Sequence, residues 1–502
     1  MNRLVVFLSP PSRSLNHYRP PLALMYLAGY LERKGYRSEI VDITLKEQVR
    51  TRGFLKNKSK ILEEVEKKII EEVKKLKPDI IGITCYSPEY FEVLKLAEKI
   101  KKINKEIKII VGGIHPTLYP NDFCYSSSPF DVAVIGEGEL TLLELVKVLR
   151  WGGKIEKVDG IAFWNKRGGR IVITPKRQLC QDLDEISFPA YDKIDMNYYT
   201  TASPYAIRGV FLRSMYILYS RGCPSQCTFC VAKKLRTCNG AGNYVRLRDP
   251  QKVFKEILFL KDRYQIDSFY FIDDLFTLDK QKVKQFCQLI INSKLNLLWG
   301  CSSKVTTVDY ETLRIMKKAG CIQIDFGVER GSDRALSLIK KGITVRLVKK
   351  IFRYCHRLGI RTFANMLINI PGEEEKDLED IINLVKKIKP TIVSFNTFVP
   401  YPGTEIFDQF STSFSPRDYP LMMEDPGMLT RKYASRFRFA NHRVDFQRWA
   451  SFYHRKFNKV ILNLKIYFSL SYVFLLLRSK RKLNYFKQLG LLFKEFVNQK
   501  FL

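Results

Sequence analysis

The sequence predicts an α/β protein: a doubly wound parallel sheet, then a partial (β/α)6 barrel, then a basic helical tail. Three observations carry this reading. Short apolar runs alternate with helical patterns through residues 1–150 and again from Met215 onward. At about 150 residues per unit, a chain of 502 residues makes about three structural units. Strand signals stop near residue 430, where the chain turns basic and aromatic.

In order, the first strands are Leu4–Ser9, Ser38–Ile43, Ile80–Thr84, Ile107–Gly112 and Val132–Gly136. Between them, apolar residues at three- and four-residue spacing predict helices near 21–35, 59–76, 89–105 and 139–150. In a doubly wound sheet ligands bind beyond the C-terminal strand ends. Four of the five ends here carry small residues, Pro or Gly, which let a bulky ligand approach the backbone. Residues 151–211 form a small β extension (Gly160–Trp164, Arg170–Thr174) and an irregular connector. From 212 to 430, strands at 215–219, 268–272, 297–301, 322–327, 361–368 and 391–397 are each followed by a helical pattern. That is the signature of a barrel with its chemistry at the C-terminal strand ends. Residues 431–502 are the tail.

Composition narrows the function. Hydrophobic residues at 46% and charged residues at 27% exclude global disorder. No run of about 18 apolar residues predicts a membrane-spanning helix. The N-terminus reads as a first strand rather than a signal peptide. Eleven cysteines without an export signal point to reduced thiols or metal ligands. The formal charge is +34, and residues 431–502 hold 17 Lys and Arg against Asp445 and Glu495 alone. Such a surplus attracts anionic lipid, nucleic acid or an acidic substrate, or is a solvated basic face.

The sharpest signal is Ser220-Arg221-Gly222-Cys223-Pro224-Ser225-Gln226-Cys227-Thr228-Phe229-Cys230, directly after the first barrel strand. Three thiols at C-x3-C-x2-C spacing wrap one metal cluster in a loop. A four-iron cluster usually takes four thiolates, so three leave one iron open to a non-protein ligand. The competing reading is zinc, which needs four ligands and has only Cys238 nearby to complete them.

This spacing after the first barrel strand resembles the radical S-adenosylmethionine (radical SAM) superfamily. The resemblance implies that Cys223, Cys227 and Cys230 ligate a [4Fe–4S] cluster whose open iron chelates SAM, and that one-electron reduction yields a 5′-deoxyadenosyl radical. It implies a SAM ammonium contact at Asp273 or Asp274, in Phe271-Ile272-Asp273-Asp274, and Phe229 against the adenine. Gly327-Val328-Glu329-Arg330-Gly331-Ser332 resembles a segment whose Glu, here Glu329, meets the ribose. Cys301-Ser302-Ser303-Lys304 resembles one that usually carries Arg for the SAM carboxylate, and Lys304 lacks that bidentate fork. Helix capping is the alternative role for Asp273 and Glu329. Met366–Glu373 and Pro400–Thr404 fit later strand–loop junctions of the family, with no catalytic role.

A five-stranded α/β unit before such a barrel resembles the cobalamin (B12)-binding subclass, with a Rossmann-like cofactor domain preceding a TIM-type barrel. Pro20–Ala28, Val111–Pro116, Gly136–Glu139 and the linker Asp182–Pro189 carry that likeness in their order. The contacts it implies are Thr84, Ser87, Gly112, Gly113, His115, Gly136, Glu137 and Gly138. The chain lacks the D-x-H-x-x-G loop that places a His beneath cobalt in many cobalamin domains. For His17 and His115 two roles stay open, a hydrogen-bonded loop residue or a cobalt contact.

The resemblance implies methylation of an unactivated carbon, with a second SAM regenerating methylcobalamin and flavodoxin or ferredoxin as electron donor. Alternatives are a radical cyclase, rearrangement or carbon–carbon coupling enzyme, and an RNA-modifying enzyme, which Cys85 and Cys124 alone equip poorly. The apolar run Ile466–Leu477, followed by Arg478, Lys480, Arg481 and Lys482, suits an interfacial helix or a helix packed on the barrel. The first of these favours a lipid, isoprenoid or natural-product substrate and a cytoplasmic protein peripheral at the inner membrane face.

Overall fold

The computed structural model describes residues 4–12, 19–43, 58–186, 188–238, 242–410, 414–423 and 437–458, with Tyr472, Val473, Leu477 and Tyr485 beyond them. Two compact units divide the chain. One comprises Met1–Asp195, Cys223–Arg246 and Val399–Met428, the other Met196–Gly222, Leu247–Phe398 and Leu429–Leu502.

The first unit is built on one sheet. Its strands are β1 (Val5–Leu8), β2 (Ser38–Val41), β3 (Ile80–Thr84), β4 (Lys108–Gly112), β5 (Val132–Val134), β6 (Ile161–Asn165) and β7 (Arg170–Ile173). The order is β2-β1-β3-β4-β5-β6-β7, parallel through β5 and antiparallel beyond. The strands expected within 151–211 therefore lengthen this sheet.

The apolar runs are continuous because both faces are covered. Val6, Leu8, Ile81, Ile83, Ile109 and Val111 pack with helices α2 (Lys58–Leu76) and α3 (Tyr90–Ile103). The alternate residues Val5, Phe7, Ile80 and Ile110 pack with α1 (Leu22–Arg33) and α5 (Gly138–Trp151). A short helix, α4 (Ile114–Leu118), follows β4. Because β1 lies between β2 and β3, the strand order reverses direction beside it, which is where ligands of such sheets bind, beyond the C-terminal strand ends.

The second unit holds six parallel strands in sequential order: β8 (Ser214–Ile217), β9 (Ser268–Phe271), β10 (Leu298–Ser303), β11 (Cys321–Glu329), β12 (Arg361–Ile368) and β13 (Ile392–Thr397). One face is aromatic and meets helices. Phe269, Phe271 and Trp299 surround Phe286 of the helix Lys280–Asn292. Phe326 meets Phe352 of the helix Val345–Leu358. Phe395 meets Trp449, Tyr453 and Phe457 of the helix Phe446–Phe457. The opposite face carries Tyr216, Tyr270, Ser302, Asp325 and Asn365.

One difference from the sequence reading has a clear cause. Residues 223–246 cluster with the first unit because their bonds run there: Lys176 Nζ to Thr237 O at 2.6 Å and Arg246 to Cys180 O at 2.7 Å. The apolar run Ile466–Leu477 lies outside the described residues apart from Tyr472, Val473 and Leu477. Tyr472 does not face outward. It is buried with its hydroxyl donating to Phe211 O at 3.0 Å, and Tyr485 is buried on Asp267. Among the described residues no helix is long and apolar enough to cross a membrane.

Candidate active site

The thiol loop is fixed by its own backbone and one arginine. Gly222 has φ +90°, a left-handed conformation that favours glycine, immediately before Cys223. Helix Ala232–Cys238 follows the loop, and from it Arg236 donates to Cys223 O at 2.9 Å and Ser225 O at 3.0 Å. Cys230 N–H donates to Cys227 O at 3.2 Å. Cys227 is buried, while Cys223, Phe229 and Cys230 are half-buried.

No disulfide joins any of the eleven cysteines. Among the described residues no three His, Cys, Asp or Glu side chains gather closely enough for a single metal ion. In a four-iron cluster each thiolate binds its own iron, so the three need not converge on one point. Thr228 Oγ1 and Arg236 Nε are buried beside the cysteines without a hydrogen-bond partner, so the loop has polar capacity its own fold does not use. Three thiols at this spacing fit a cluster with one open iron.

In the second unit, the four residues expected at SAM behave differently from one another. Asp273 follows β9 and is buried, turned back onto the chain leaving β8. It accepts from Tyr219 N at 3.1 Å, Ser220 Oγ at 2.6 Å and Ser220 N. Its carboxylate thus anchors the entry to the thiol loop, which is a positioning role and not an exposed ammonium contact. Burial raises its pKa to about 6, partly offset by these hydrogen bonds. Asp274, the next residue, is exposed and makes no hydrogen bond or ion pair among the described residues. It is the carboxylate available to a cation at this strand end.

Glu329 ends β11 with φ +68°, a costly conformation for a residue with a side chain. It is buried and pairs with Lys341 at 2.9 Å. Lys304 follows β10, and its Nζ lies 3.6 Å from the Cβ position of Gly342. Lys304 and the Glu329–Lys341 pair therefore share one corner. Neither Asp273 nor Glu329 caps a helix.

The Asp273 geometry sets a pH dependence. Its folded pKa lies above the ordinary 3.8, so its stabilising contribution is full below about pH 4 and falls as pH rises through about 6. Measured by urea unfolding, the wild-type chain should lose about 3 kcal/mol relative to Asp273→Asn between pH 4 and pH 7.5. A pH-independent difference would mean an ordinary, exposed carboxyl.

In the first unit, the strand ends expected to meet cobalamin show two arrangements. At β3 and β4, Gly113 has φ +106°, and a Cβ there would lie 3.0 Å from both Cys85 O and Thr84 Oγ1. A Cβ on Gly112 would meet only Val134 at 3.8 Å. Ser87 and His115 are buried and face each other, Oγ to Nδ1 at 2.8 Å. His115 Nε2 lies 3.1 Å from Asp122 Oδ2, out of line for a hydrogen bond. Tyr90, Phe123 and Tyr419 enclose the imidazole. Ser87 and His115 thus pin α4 beneath the strand ends instead of offering an open face. His17 lies outside the described residues.

At the end of β5, Gly136 has φ +85° and Gly138 begins α5. Glu137 binds Arg246. A narrow cleft there is lined by Gly136, Glu137, Glu139, Arg177 and Cys180. Bare backbone at Gly112 and Gly136 fits a large flat cofactor, whereas Gly113 lacks a side chain because the chain after β3 lies against it. Sequence reasoning missed Glu89, just past Ser87. It is buried, and burial raises its pKa to about 7 despite bonds from Ser12 and Tyr86. Its position two residues beyond the end of the third strand's loop, at Ser87, was the available signal.

Comparison with known proteins places these observations in a family. Residues 13–146 match the B12 binding domain and residues 217–385 match the radical SAM superfamily. An uncharacterized methyltransferase of Pyrococcus horikoshii is 30% identical over 390 residues, 78% of each chain. This chain belongs to the cobalamin-binding radical SAM family. Membership carries the family's cofactors: cobalamin, a [4Fe–4S] cluster and SAM. An anaerobic magnesium-protoporphyrin IX monomethyl ester cyclase of Rubrivivax gelatinosus is 28% identical over 407 residues, 80% of this chain and 68% of the cyclase. The radical SAM methyltransferase TsrM from Kitasatospora setae, solved with cobalamin and a [4Fe–4S] cluster bound, shares the fold. Its TM-score is 0.63 at 20% identity, covering 81% of this chain and 77% of TsrM. The α/β architecture of this radical SAM enzyme, with its B12-binding half first, is therefore that of a solved relative.

Proposed function

We propose that this radical SAM enzyme methylates an unactivated carbon, using Cys223, Cys227 and Cys230 to hold the cluster. The observation that carries the proposal is the three-thiol loop without a fourth ligand, in a chain that also has a B12-binding sheet. Bound together, the cluster, SAM and cobalamin supply one-electron cleavage of a sulfonium and a transferable methyl group.

The protein's own residues bind and orient. Asp273 holds Tyr219 and Ser220 so that the thiol loop starts from a fixed point. Asp274 offers the carboxylate for the SAM ammonium in its place. Lys341 holds Glu329 in place for the ribose, Lys304 supplies positive charge for the SAM carboxylate, and Phe229 packs on the adenine. Thr84, Gly112, Gly113, Gly136, Glu137 and Gly138 contact cobalamin. Ser87 and His115 support that contact from beneath. Flavodoxin or ferredoxin supplies the electron.

Similarity to a cyclase favours one second reading, a radical cyclisation with the same cofactors and no methyl transfer. Methyl-deuterated SAM separates the two. Incubated anaerobically with reduced holoenzyme and an extract of the source cells, it should give a product heavier by one labelled methyl group. SAM cleavage accompanied only by unlabelled, isomerised or dehydrogenated product would establish the cyclase reading instead.

A further inference from the structure

The face of the second sheet turned away from its helices mixes apolar residues, Phe363, Leu367 and Ile392, with a group of polar ones near the C-terminal strand ends. Along β10 to β13 the half-buried residues of this face are Ser302, Gly327, Asn365, Ile392, Ser394 and Asn396, while the alternating neighbours Cys301, Phe326, Ala364, Val393 and Phe395 are buried. Register lines them up: Gly327 pairs with Asn365, and Asn365 with Ser394. Because successive side chains point to opposite faces, these residues form one row near the C-terminal strand ends.

The row carries no unpaired charge. Its floor is Asp325, whose Oδ2 receives Arg208 Nε at 3.2 Å, and the Arg208 guanidinium lies 4.0 Å above the Phe363 ring. Tyr270 and Ser302 share a hydrogen bond at 3.1 Å, and Ser394 Oγ donates to Asn396 Oδ1 at 2.8 Å. The Asn365 amide has no hydrogen-bond partner among the described residues. Hydroxyls and amides are thus presented, half-open, beside the strand ends that carry Asp274, Lys304 and Glu329.

Hydrocarbon laid over such a row would strip water from donors and acceptors and give nothing back. A site built to hydrogen-bond its substrate rejects an analogue lacking those groups by about 10^4-fold. We infer that the substrate of this enzyme is an uncharged, water-soluble molecule bearing hydroxyl or amide groups, not the lipid or isoprenoid favoured by the tail. The inference rests on the radical SAM reading above and adds the substrate class.

The test partitions an extract of the source cells between aqueous methanol and chloroform. Each fraction is added to reduced, SAM-loaded holoenzyme, and release of 5′-deoxyadenosine is followed. The aqueous fraction should accelerate release at least about tenfold. Asn365→Leu should lose that acceleration while keeping its thermal midpoint, and Asn365→Ser, which can still hydrogen-bond, should retain part of it. Acceleration by the chloroform fraction, by neither fraction, or undiminished in Asn365→Leu overturns the inference. Acceleration by the aqueous fraction without labelled methyl in the product would leave the substrate class standing and overturn methyl transfer alone.

Discussion

Cys227→Ala should abolish SAM cleavage and leave the anaerobically reconstituted protein without its cluster. Wild-type chain should carry about four irons. Cys227 is the buried member of the trio, and its carbonyl receives Cys230 N–H, so its sulfur sits where the loop is most constrained. Cys223 and Cys230 are half-buried and their alanine variants should behave alike, because two thiolates leave two irons unligated by protein. Cys238→Ala is the control. Cys238 ends the helix after the loop, and no third metal-binding side chain gathers with it among the described residues. Its loss should leave iron content and 5′-deoxyadenosine formation intact. An iron-free Cys238→Ala protein, or tightly bound zinc in the wild type, would return the loop to the zinc reading. The variants should stay folded, since Arg236 binds the carbonyls of Cys223 and Ser225 and not their side chains.

Elements were legible in the sequence because burial writes them there. Ile80–Thr84 reads as a strand since helices cover both its faces, and 268–272 is found as Ser268–Phe271 since Phe269 and Phe271 meet Phe286 while Tyr270 faces the other way. The residue types of the site were legible too, from the spacing of three cysteines and the acidic residues at strand ends. Pairings were not. Asp273 bonds residues 53 and 54 positions earlier, Glu137 bonds Arg246 at a separation of 109, and His442 bonds Glu373 at 69. Which of two adjacent carboxylates turns inward depends on strand register and loop geometry, so the motif Asp273-Asp274 could not say that the second is the open one. The same holds for the polar row, which becomes visible only when Gly327, Asn365 and Ser394 are aligned across three strands. The tail's composition suited either an interfacial helix or one packed on the barrel, and its few described residues show both characters: Tyr472 and Tyr485 are buried with their hydroxyls bonded to protein, while Val473 and Leu477 are exposed.

Glu373→Ala should be the most destabilising substitution outside the thiol loop, costing about 3–5 kcal/mol. Glu373 lies in the turn after β12 and is almost wholly buried. Its carboxylate pairs with Arg330 and accepts from Asn369 N and His442 Nε2, each at 3.0 Å. Arg330 is equally buried and donates also to Leu367 O at 2.7 Å. Removing Glu373 leaves that guanidinium with Asp377 alone, 3.8 Å away and already shared with Arg334. An uncompensated buried charge is the expensive outcome, more than the lost attraction itself. The same turn holds a later segment in place. Asn369, at φ +66°, donates to Phe437 O at 2.8 Å and accepts from Phe439 N at 2.9 Å, while Glu373 O accepts from Asn441 N at 2.8 Å. Losing the carboxylate should therefore loosen residues 437–442 together with the turn. His442→Ala removes one contact to the carboxylate and leaves Arg330 paired, so it should cost only about 1–2 kcal/mol. Urea unfolding of both variants, with limited proteolysis near residue 440, provides the measurement. A Glu373→Ala cost no larger than that of His442→Ala would show that Arg330 finds water or Asp377 readily, and that the turn does not depend on the buried pair.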